Sequence, residues 1–520
     1  MTPASSSPSL STPAPRVSSP EDLASLRSDL ATLGDLGEEL GEVASVALAR
    51  EQRLPGLTAA RLSDSREAVF ARLFLLGDAV SADEADHLFA QLTLAGALRM
   101  GVVAPAGAAP DNNSYRATIS LKPVPTDDDV RWLAADLGES MTGRPVNADH
   151  VLGVGGASLT LAGLTDRRPV SRALDLGTGC GIQAAFLADH AESIVATDIS
   201  ARALDFARFN AALNGQEWDV RGGSLFGPVA GERFDLIVSN PPFVITPSSV
   251  HDAGLPVMEY REAGAAGDDL LAQILRELPG HLSDDGRAVM LANWEHREDS
   301  NWQDRVAAMA GPNLDLWVIE REHLDPAEYV EMWLRDGGLT YASSGREAYE
   351  RVYAAWLADF AERGVTGVGF GYVFAGPAAN RAPIRRLEAV AGPAAPQPGA
   401  HLAASFDAQR ELAAATADNA SALASWRVAA APDLTVEHHF IPGESEPTVI
   451  ILRQGGGLGR THRAGTALAG LISVADGELS IGQISAALAE LLAVDPDELQ
   501  SELLDDVAEL VAIGMLTRVG

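Results

Sequence analysis

The sequence predicts an α/β protein with a mostly parallel, seven-stranded sheet at its centre and a mainly helical, winged-helix-like segment on either side. Three observations carry this expectation. Between about Asp127 and Ala375, apolar strand-like runs alternate with helical ones, the seven strands being SRALDLGTG, SIVATDIS, WDVRGG, FDLIVSN, GRAVMLANW, LDLWVIE and GVGFGYVFA. Runs of this kind belong to strands covered on both faces, and their alternation with helices makes the sheet parallel and its crossovers right-handed. A glycine-rich turn follows the first run, at the strand end where open α/β sheets bind ligands. Outside this stretch apolar residues recur at helical spacing, with short strand-like pieces closing each segment.

In chain order, residues 1–20 lack the basic start and apolar run of a secretory signal and are expected to be a disordered Ser/Pro tail. Residues 21–126 are expected to form a helical, winged-helix-like domain. ASLRSDLATLGDLGEELGEVAS and SREAVFARLFLLGDAV have helical spacing, SADEADHLFAQLTLAGALRMGVVAPAG continues with a helix and a turn, and SYRATISLKPV alternates like one strand. Such a module serves substrate recognition or caps the next domain, and the scaffold alone does not choose. Residues 127–376 hold the sheet, with helical segments around Tyr329 to Leu334 and Glu347 to Phe360 between its last two strands. Residues 377–399, rich in Ala, Pro and Gly, are expected to be a linker or a loosely held loop. Residues 400–520 end in amphipathic helices and a short strand, a second winged-helix-like domain. Its QGGGLGRTHRAG stretch lacks the spacing of a phosphate loop and is expected to be a mobile surface loop.

The 520 residues call for two to four domains, and 47% hydrophobic with 21% charged residues is the balance of a soluble globular chain. No run approaches the roughly 20 apolar residues of a membrane span. One cysteine, Cys180, excludes an internal disulfide, and a cytoplasmic protein is the simplest expectation. The net charge of -34, with Lys122 the single lysine, opposes nonspecific binding of phosphates. A local arginine cluster would still permit RNA. His438-His439 have no cysteine or carboxylate at zinc spacing and read as strand residues, so no metal is expected.

The candidate cofactor site starts at Asp175, which heads Gly177-Thr178-Gly179-Cys180-Gly181. These glycines allow a tight turn and close approach to a ligand. A dinucleotide fingerprint wants a further glycine where Ile182 stands, and an acidic residue before the glycines suits the cationic S-adenosyl-L-methionine better than an anionic pyrophosphate. Asp198, ending the second strand with Ile199 after it, can accept hydrogen bonds from ribose hydroxyls. Ser224 and Leu225, past the third strand, lie where an adenine pocket belongs.

The candidate catalytic group is Asn240-Pro241-Pro242-Phe243, directly after the fourth strand. The lone pair of an amide or aromatic amine nitrogen is delocalised, which makes it a poor nucleophile. Carbonyls of the Asn240 side chain and the Pro241 backbone can accept hydrogen bonds from such an NH2, hold it about 3 Å from a transferable methyl and favour its pyramidal state. The prolines stiffen the loop, and Phe243 offers a face for stacking. No side chain has to be a strong base, because methylation itself makes the proton acidic.

With these motifs, residues from about Val151 to Ala375 resemble the Rossmann-like class I methyltransferase domain, in its small-domain branch with Asn-Pro-Pro-Phe/Tyr. That branch includes the release-factor glutamine methyltransferases and the amino-methyltransferases of rRNA guanine and of adenine. NPPFVITP followed by EYREAGAAGDDLLAQIL is most similar to the glutamine-methylating members, and the whole chain resembles a large actinobacterial type. The resemblance implies cofactor roles for Asp175, Gly177, Gly179 and Asp198 and a catalytic role for Asn240, supported by Pro241 and Phe243. It implies N-methylation of a macromolecule, with a protein glutamine as the main reading and an rRNA or DNA base amine as the alternative. A small-molecule methyltransferase, or a nucleic-acid-binding protein whose central domain senses cofactor without catalysis, stands beside these. Two departures matter: Ser224 replaces the Asp of many relatives, and a long segment separates the last two strands where a short hairpin is usual. His150 and Gly153 are candidates for a fold over the cofactor, and Tyr260 and Arg261 for the substrate mouth.

Overall fold

The computed structural model of the protein describes residues 13–17, 19–107, 113–127, 129–261, 267–378, 381–417 and 419–519. The first half of the central sheet is built from α1 (Gly156–Leu164), β1 (Val170–Leu176), α2 (Ile182–Leu187), β2 (Ala191–Asp198), α3 (Ala201–Leu213), β3 (Asp219–Gly222) and β4 (Phe234–Ser239). The second half runs α4 (Asp269–Glu277), β5 (Leu282–Arg297), α5 (Trp302–Met309), β6 (Leu314–Leu324), α6 (Pro326–Asp336), α7 (Arg346–Glu362), β7 (Val365–Pro377) and β8 (Arg385–Ala389). The sheet order is β8-β6-β7-β5-β4-β1-β2-β3. Strands β1 to β5 pair in parallel, β7 runs antiparallel to β5 and β6, and β8 is parallel to β6. Strand order reverses at β1, so the crevice outside the ends of β1 and β4 is where a ligand site is expected. Residues such as Leu174, Ala196, Ile237 and Val289 are buried because helices cover both faces.

The sheet has eight strands, not seven. The extra one, β8, lies inside 377–399, so that segment is not simply a linker. Its Leu316↔Arg385 to Glu320↔Ala389 register closes the edge of β6. Two of the charges of RRLEA are paired with charges from later in the chain: Glu388 accepts from the Arg460 guanidinium at 2.7 and 2.8 Å, and Arg386 reaches Glu509 at 2.7 and 2.8 Å, while Arg385 donates to backbone carbonyls such as that of Gly311 at 2.7 Å. The QGGGLGRTHRAG stretch is likewise not a free surface loop. Arg460 is bound as above, Leu458 is buried, and Ala395 N–H donates to the Gly457 carbonyl at 2.8 Å.

The N-terminal region begins with helices from Pro20 and ends in a three-stranded sheet of Val80–Ser81, Ser114–Ala117 and Val103–Pro105, in that spatial order. Helices Ala82–Leu88 and Thr93–Met100 lie between its first two strands in sequence. SYRATISLKPV forms two strands rather than one: the chain leaves this sheet after Ala117 and starts a separate hairpin, Ser120–Pro125 with Val130–Ala135. The expected boundary at 126/127 falls in that hairpin's turn. An unbroken apolar core runs from Leu23 and Phe70 through Leu133 to Phe209 in α3, so the N-terminal region and the sheet share their interior. Most of the expected tail, residues 1–12 and 18, lies outside the described residues; in 13–17, Pro15 is buried and Arg16 N–H donates to the Met100 carbonyl at 3.0 Å.

After β8, helix Gly399–Thr416 packs on α1 and on the Trp317 side of the sheet, with Phe406 stacked 6.5 Å from Trp317. The remaining chain makes two three-stranded antiparallel sheets. One orders Asp476–Ser480, Arg427–Ala430 and Leu516–Arg518 beside helices Ile481–Leu492 and Pro496–Ala512, and the other contains His438 and His439 in strand Leu434–His439. Among the described residues no helix is long and apolar enough to cross a membrane.

Candidate active site

The glycine-rich turn is held from behind by the next strand. Gly177 and Thr178 N–H groups both donate to the Thr197 carbonyl at 2.9 Å, and the Ser239 hydroxyl ties β4 to the Leu176 carbonyl at 2.7 Å. Gly177 and Gly179 have φ of +79° and +56°, and a Cβ on either would project into open space, so their backbone forms a floor a ligand can approach. Gly181 differs. Its Cβ would lie 2.5 Å from the Trp218 ring, so this glycine serves packing and does not line the cleft.

Asp175 also stands behind the floor instead of lining it. It is 1% exposed, and its Oδ2 accepts from the Thr178 hydroxyl at 2.6 Å and from Ala184 N–H at 3.0 Å. Its Oδ1 has no hydrogen-bond partner among the described residues. Burial pushes the carboxyl up to about 7.

The floor opens on a cleft of about 470 Å³ that brings together Gly177, Thr178, Gly179, Asp198, Ile199, Ser224, Leu225 and Asn240. Asp198 is fixed at the end of β2 by Gly179 N–H and Ser200 N–H, each 2.9 Å from one of its oxygens. Burial raises its pKa despite those bonds. Leu225 is in the left-handed region at φ +45°, an uncommon state for a side chain with a Cβ. The segment from His150 to Gly153, with Ser158 of α1, closes one side of the cleft. His150 lies 6.0 Å ring to ring from Tyr260, and burial lowers its pKa, so the ring is neutral near pH 7.

Asn240, Pro241 and Pro242 form the wall at the other end. The two prolines line both this cleft and a narrower crevice that is also lined by Phe243, Asp268 and Asn293. Asn240 belongs to the cleft and Phe243 to the crevice. Asn240 Oδ1 is buried without a hydrogen-bond partner among the described residues. An acceptor in that state costs about 1–3 kcal/mol, which a bound donor would recover.

Tyr260 lines the cleft and its hydroxyl donates to Asp336 at 3.1 Å. Arg261 does not reach the mouth: it is 2% exposed, and its guanidinium donates to the Trp333 carbonyl at 3.0 Å and to Asp336 at 3.2 Å. Sequence reasoning missed Asn210, which is fully buried in α3. Its amide donates to the Cys180 carbonyl at 2.7 Å and pairs with Ala134 N–H and C=O, both at 2.8 Å, tying the glycine turn to the N-terminal hairpin. The signal was an Asn among Ala203, Phe206 and Ala207 on the apolar helix face. Glu259, Gln273, Asn293 and Tyr329 carried no comparable mark.

The sheet runs 3-2-1-4-5-7-6 with the seventh strand antiparallel and an eighth at its edge, a glycine turn follows the first strand and a carboxylate ends the second, an arrangement similar to the class I methyltransferase domain that the sequence resembles. Residues 154–255 match the family described as methyltransferase small domain, and residues 32–117 match a domain of unknown function, DUF7059. The chain is 37% identical over 140 residues to the release factor glutamine methyltransferase of Xylella fastidiosa, covering 25% of this chain and 50% of that one. It is 39% identical over 136 residues to the ribosomal protein uL3 glutamine methyltransferase of Bordetella pertussis, covering 24% and 44%. With the ribosomal RNA small subunit methyltransferase C of Salmonella arizonae it shares 33% over 140 residues, covering 26% and 35%. The chain thus spans half or less of the length of these relatives.

Proposed function

We propose that this protein is an S-adenosyl-L-methionine-dependent N-methyltransferase acting on a planar NH2 of a macromolecule, and that the NH2 is a protein glutamine amide. The observation that carries the reading is the buried, unpartnered Asn240 Oδ1 at the end of the cleft, beside two rigid prolines. The residues present suit the cofactor. The Gly177 and Gly179 floor admits its backbone-hugging chain, Asp198 offers an acceptor for ribose hydroxyls, and Ser224 with Leu225 form the adenine wall. The Oδ1 of Asp175, without a hydrogen-bond partner among the described residues, stands behind the loop that a cation approaches.

When bound, the cofactor supplies an electrophilic methyl group. The Asn240 side-chain oxygen and the Pro241 carbonyl accept hydrogen bonds from the acceptor NH2, which localises its lone pair and aims it at the cleft. Phe243 lines the crevice behind the prolines and not the cleft, so the stacking role expected of it has no part in this arrangement. The proton then leaves a cationic nitrogen and passes to water, so no residue has to act as a strong base.

A protein acceptor is favoured over a nucleic acid because no arginine or lysine lines the described cleft, while Glu259 does. Two of the three relatives named above are called glutamine methyltransferases. The third, named for ribosomal RNA, supports a base amine as the second reading. For the flanks, the strand-helix-helix-strand-strand order of residues 80–117, with its last strand in the middle of the sheet, supports a winged-helix reading. The second sheet, with strand 427–430 between 476–480 and 516–518, supports the same reading near the C-terminus. We assign these modules, within 21–126 and 400–520, to substrate choice, and place the enzyme in the cytoplasm on the strength of one buried, unpaired cysteine.

The test is transfer of radiolabelled methyl from S-adenosylmethionine into extract of cells lacking the protein, followed by nuclease or protease. Label that survives nuclease and is released by protease is expected. Label lost to nuclease would replace glutamine by a base amine, and no label would overturn the enzymatic reading.

A further inference from the structure

The segment between β6 and β7 is more than an ornament on the sheet. Helices α6 and α7 form a separate apolar core with the loop that follows the Asn-Pro-Pro-Phe wall: Val244, Ile245, Val250 and Leu255 pack with Tyr329, Val330, Trp356 and Phe360. Within it, the two backbone amides directly after Phe243 are each held. Val244 N–H donates to the Arg261 carbonyl at 3.0 Å, and Ile245 N–H donates to the Tyr329 hydroxyl at 2.8 Å.

Both anchors lead to α6. Tyr329 is part of that helix, and the Arg261 guanidinium binds its C-terminal end at Trp333 and Asp336. Helix α6 is itself fixed at its start by a capping box of Asp325 and Glu328, with Pro326 leading. Tyr329 is fully buried, with rings of Trp356, Phe360 and Phe370 at 5.7–6.2 Å. A phenol in such surroundings is retained at a desolvation cost unless its hydroxyl is used. Here the hydroxyl accepts from Ile245 N–H and also, at 3.2 Å, from the amide of Asn293, which lines the same crevice as Phe243.

We propose that Tyr329 is a positioning residue for methyl transfer: its hydroxyl sets the register of the catalytic loop by holding Ile245 N–H and, through Asn293, the lining of the crevice behind the prolines. The inference rests on the methyltransferase reading above. A displacement of the wall by about 1 Å would cost up to roughly a hundredfold in rate without touching the cofactor floor.

The experiment compares wild type, Tyr329→Phe and Val330→Ala. Tyr329→Phe keeps the packing and removes the acceptor, whereas Val330→Ala loosens the same helix and leaves the hydrogen bond. Three quantities are read: hydrogen exchange at the Ile245 amide, calorimetric affinity for S-adenosylmethionine, and label transfer into extract protein. In Tyr329→Phe, Ile245 should exchange about tenfold or more faster and transfer should fall about tenfold to a hundredfold, with cofactor affinity within about twofold. Val330→Ala should lower the thermal midpoint and leave Ile245 exchange and transfer near wild type. Unchanged exchange at Ile245 in Tyr329→Phe overturns the proposal, as does an equal loss of transfer in Val330→Ala, which would make the effect one of stability. Absence of label with wild type sinks the methyl-transfer reading, and with it the catalytic meaning of the hydroxyl, even if the exchange result holds.

Discussion

At the glycine-turn end of the cleft, position is set mainly by main chain, with Gly177 and Thr178 amides on the Thr197 carbonyl and Asp198 gripped by two amides of its own neighbourhood. At the Asn240 end, position depends on side chains arriving from elsewhere, with Tyr329 and Arg261 linking the loop to a helix inserted some eighty residues later. The first arrangement follows from the sheet and suits a cofactor of fixed shape. The second can be altered by changing an insertion, which is where a difference in acceptor would be accommodated without disturbing the floor.

If that contrast is right, the two ends should fail separately. The largest effect is expected for Asn240→Ala: label transfer should fall about a thousandfold or more while the calorimetric cofactor affinity stays within about twofold. Parallel loss of both would join the ends the contrast separates. Asp198→Ala should do the opposite, weakening cofactor binding about tenfold to a hundredfold and leaving much of the transfer rate once cofactor saturates. The smallest effect concerns Asp175. Its carboxyl titrates near 7 in the folded protein, and a cationic ligand beside the loop favours the ionised form. Affinity should therefore rise with pH up to about 7, by at most about tenfold per unit, and level off above it. Asp175→Asn, titrated by calorimetry between pH 5.5 and about 8.5, should remove that slope. A slope that survives in this variant would assign it to another group.

Legibility followed chemistry near in sequence. The strands and the Asn-Pro-Pro-Phe wall were readable because apolar runs and turn residues act locally. Strand β8 was not, because Arg386 and Glu388 look like solvent-facing charges until Glu509 and Arg460 arrive from about a hundred and twenty and seventy residues away to pair them. Asp175 looked like a ligand contact, yet its carboxylate turns toward Thr178 and Ala184 to brace the loop. Arg261 looked like a mouth residue because a lone arginine after a tyrosine carries no sign of the helix end it will cap. Tyr329 lay in an ordinary amphipathic helix, and only the tertiary fold shows which amide its hydroxyl meets.

The pairing of β8 with β6 has a practical consequence. Strand β6 is largely apolar, and its outer edge is paired along Leu316 to Glu320 by β8. A fragment ended at 376, where the sheet's expected domain stops, would leave that row of amides and carbonyls exposed, and exposed apolar edges recruit further strands. Such a piece should aggregate when expressed alone. A fragment carried past Ala389 keeps β6 paired and should aggregate less.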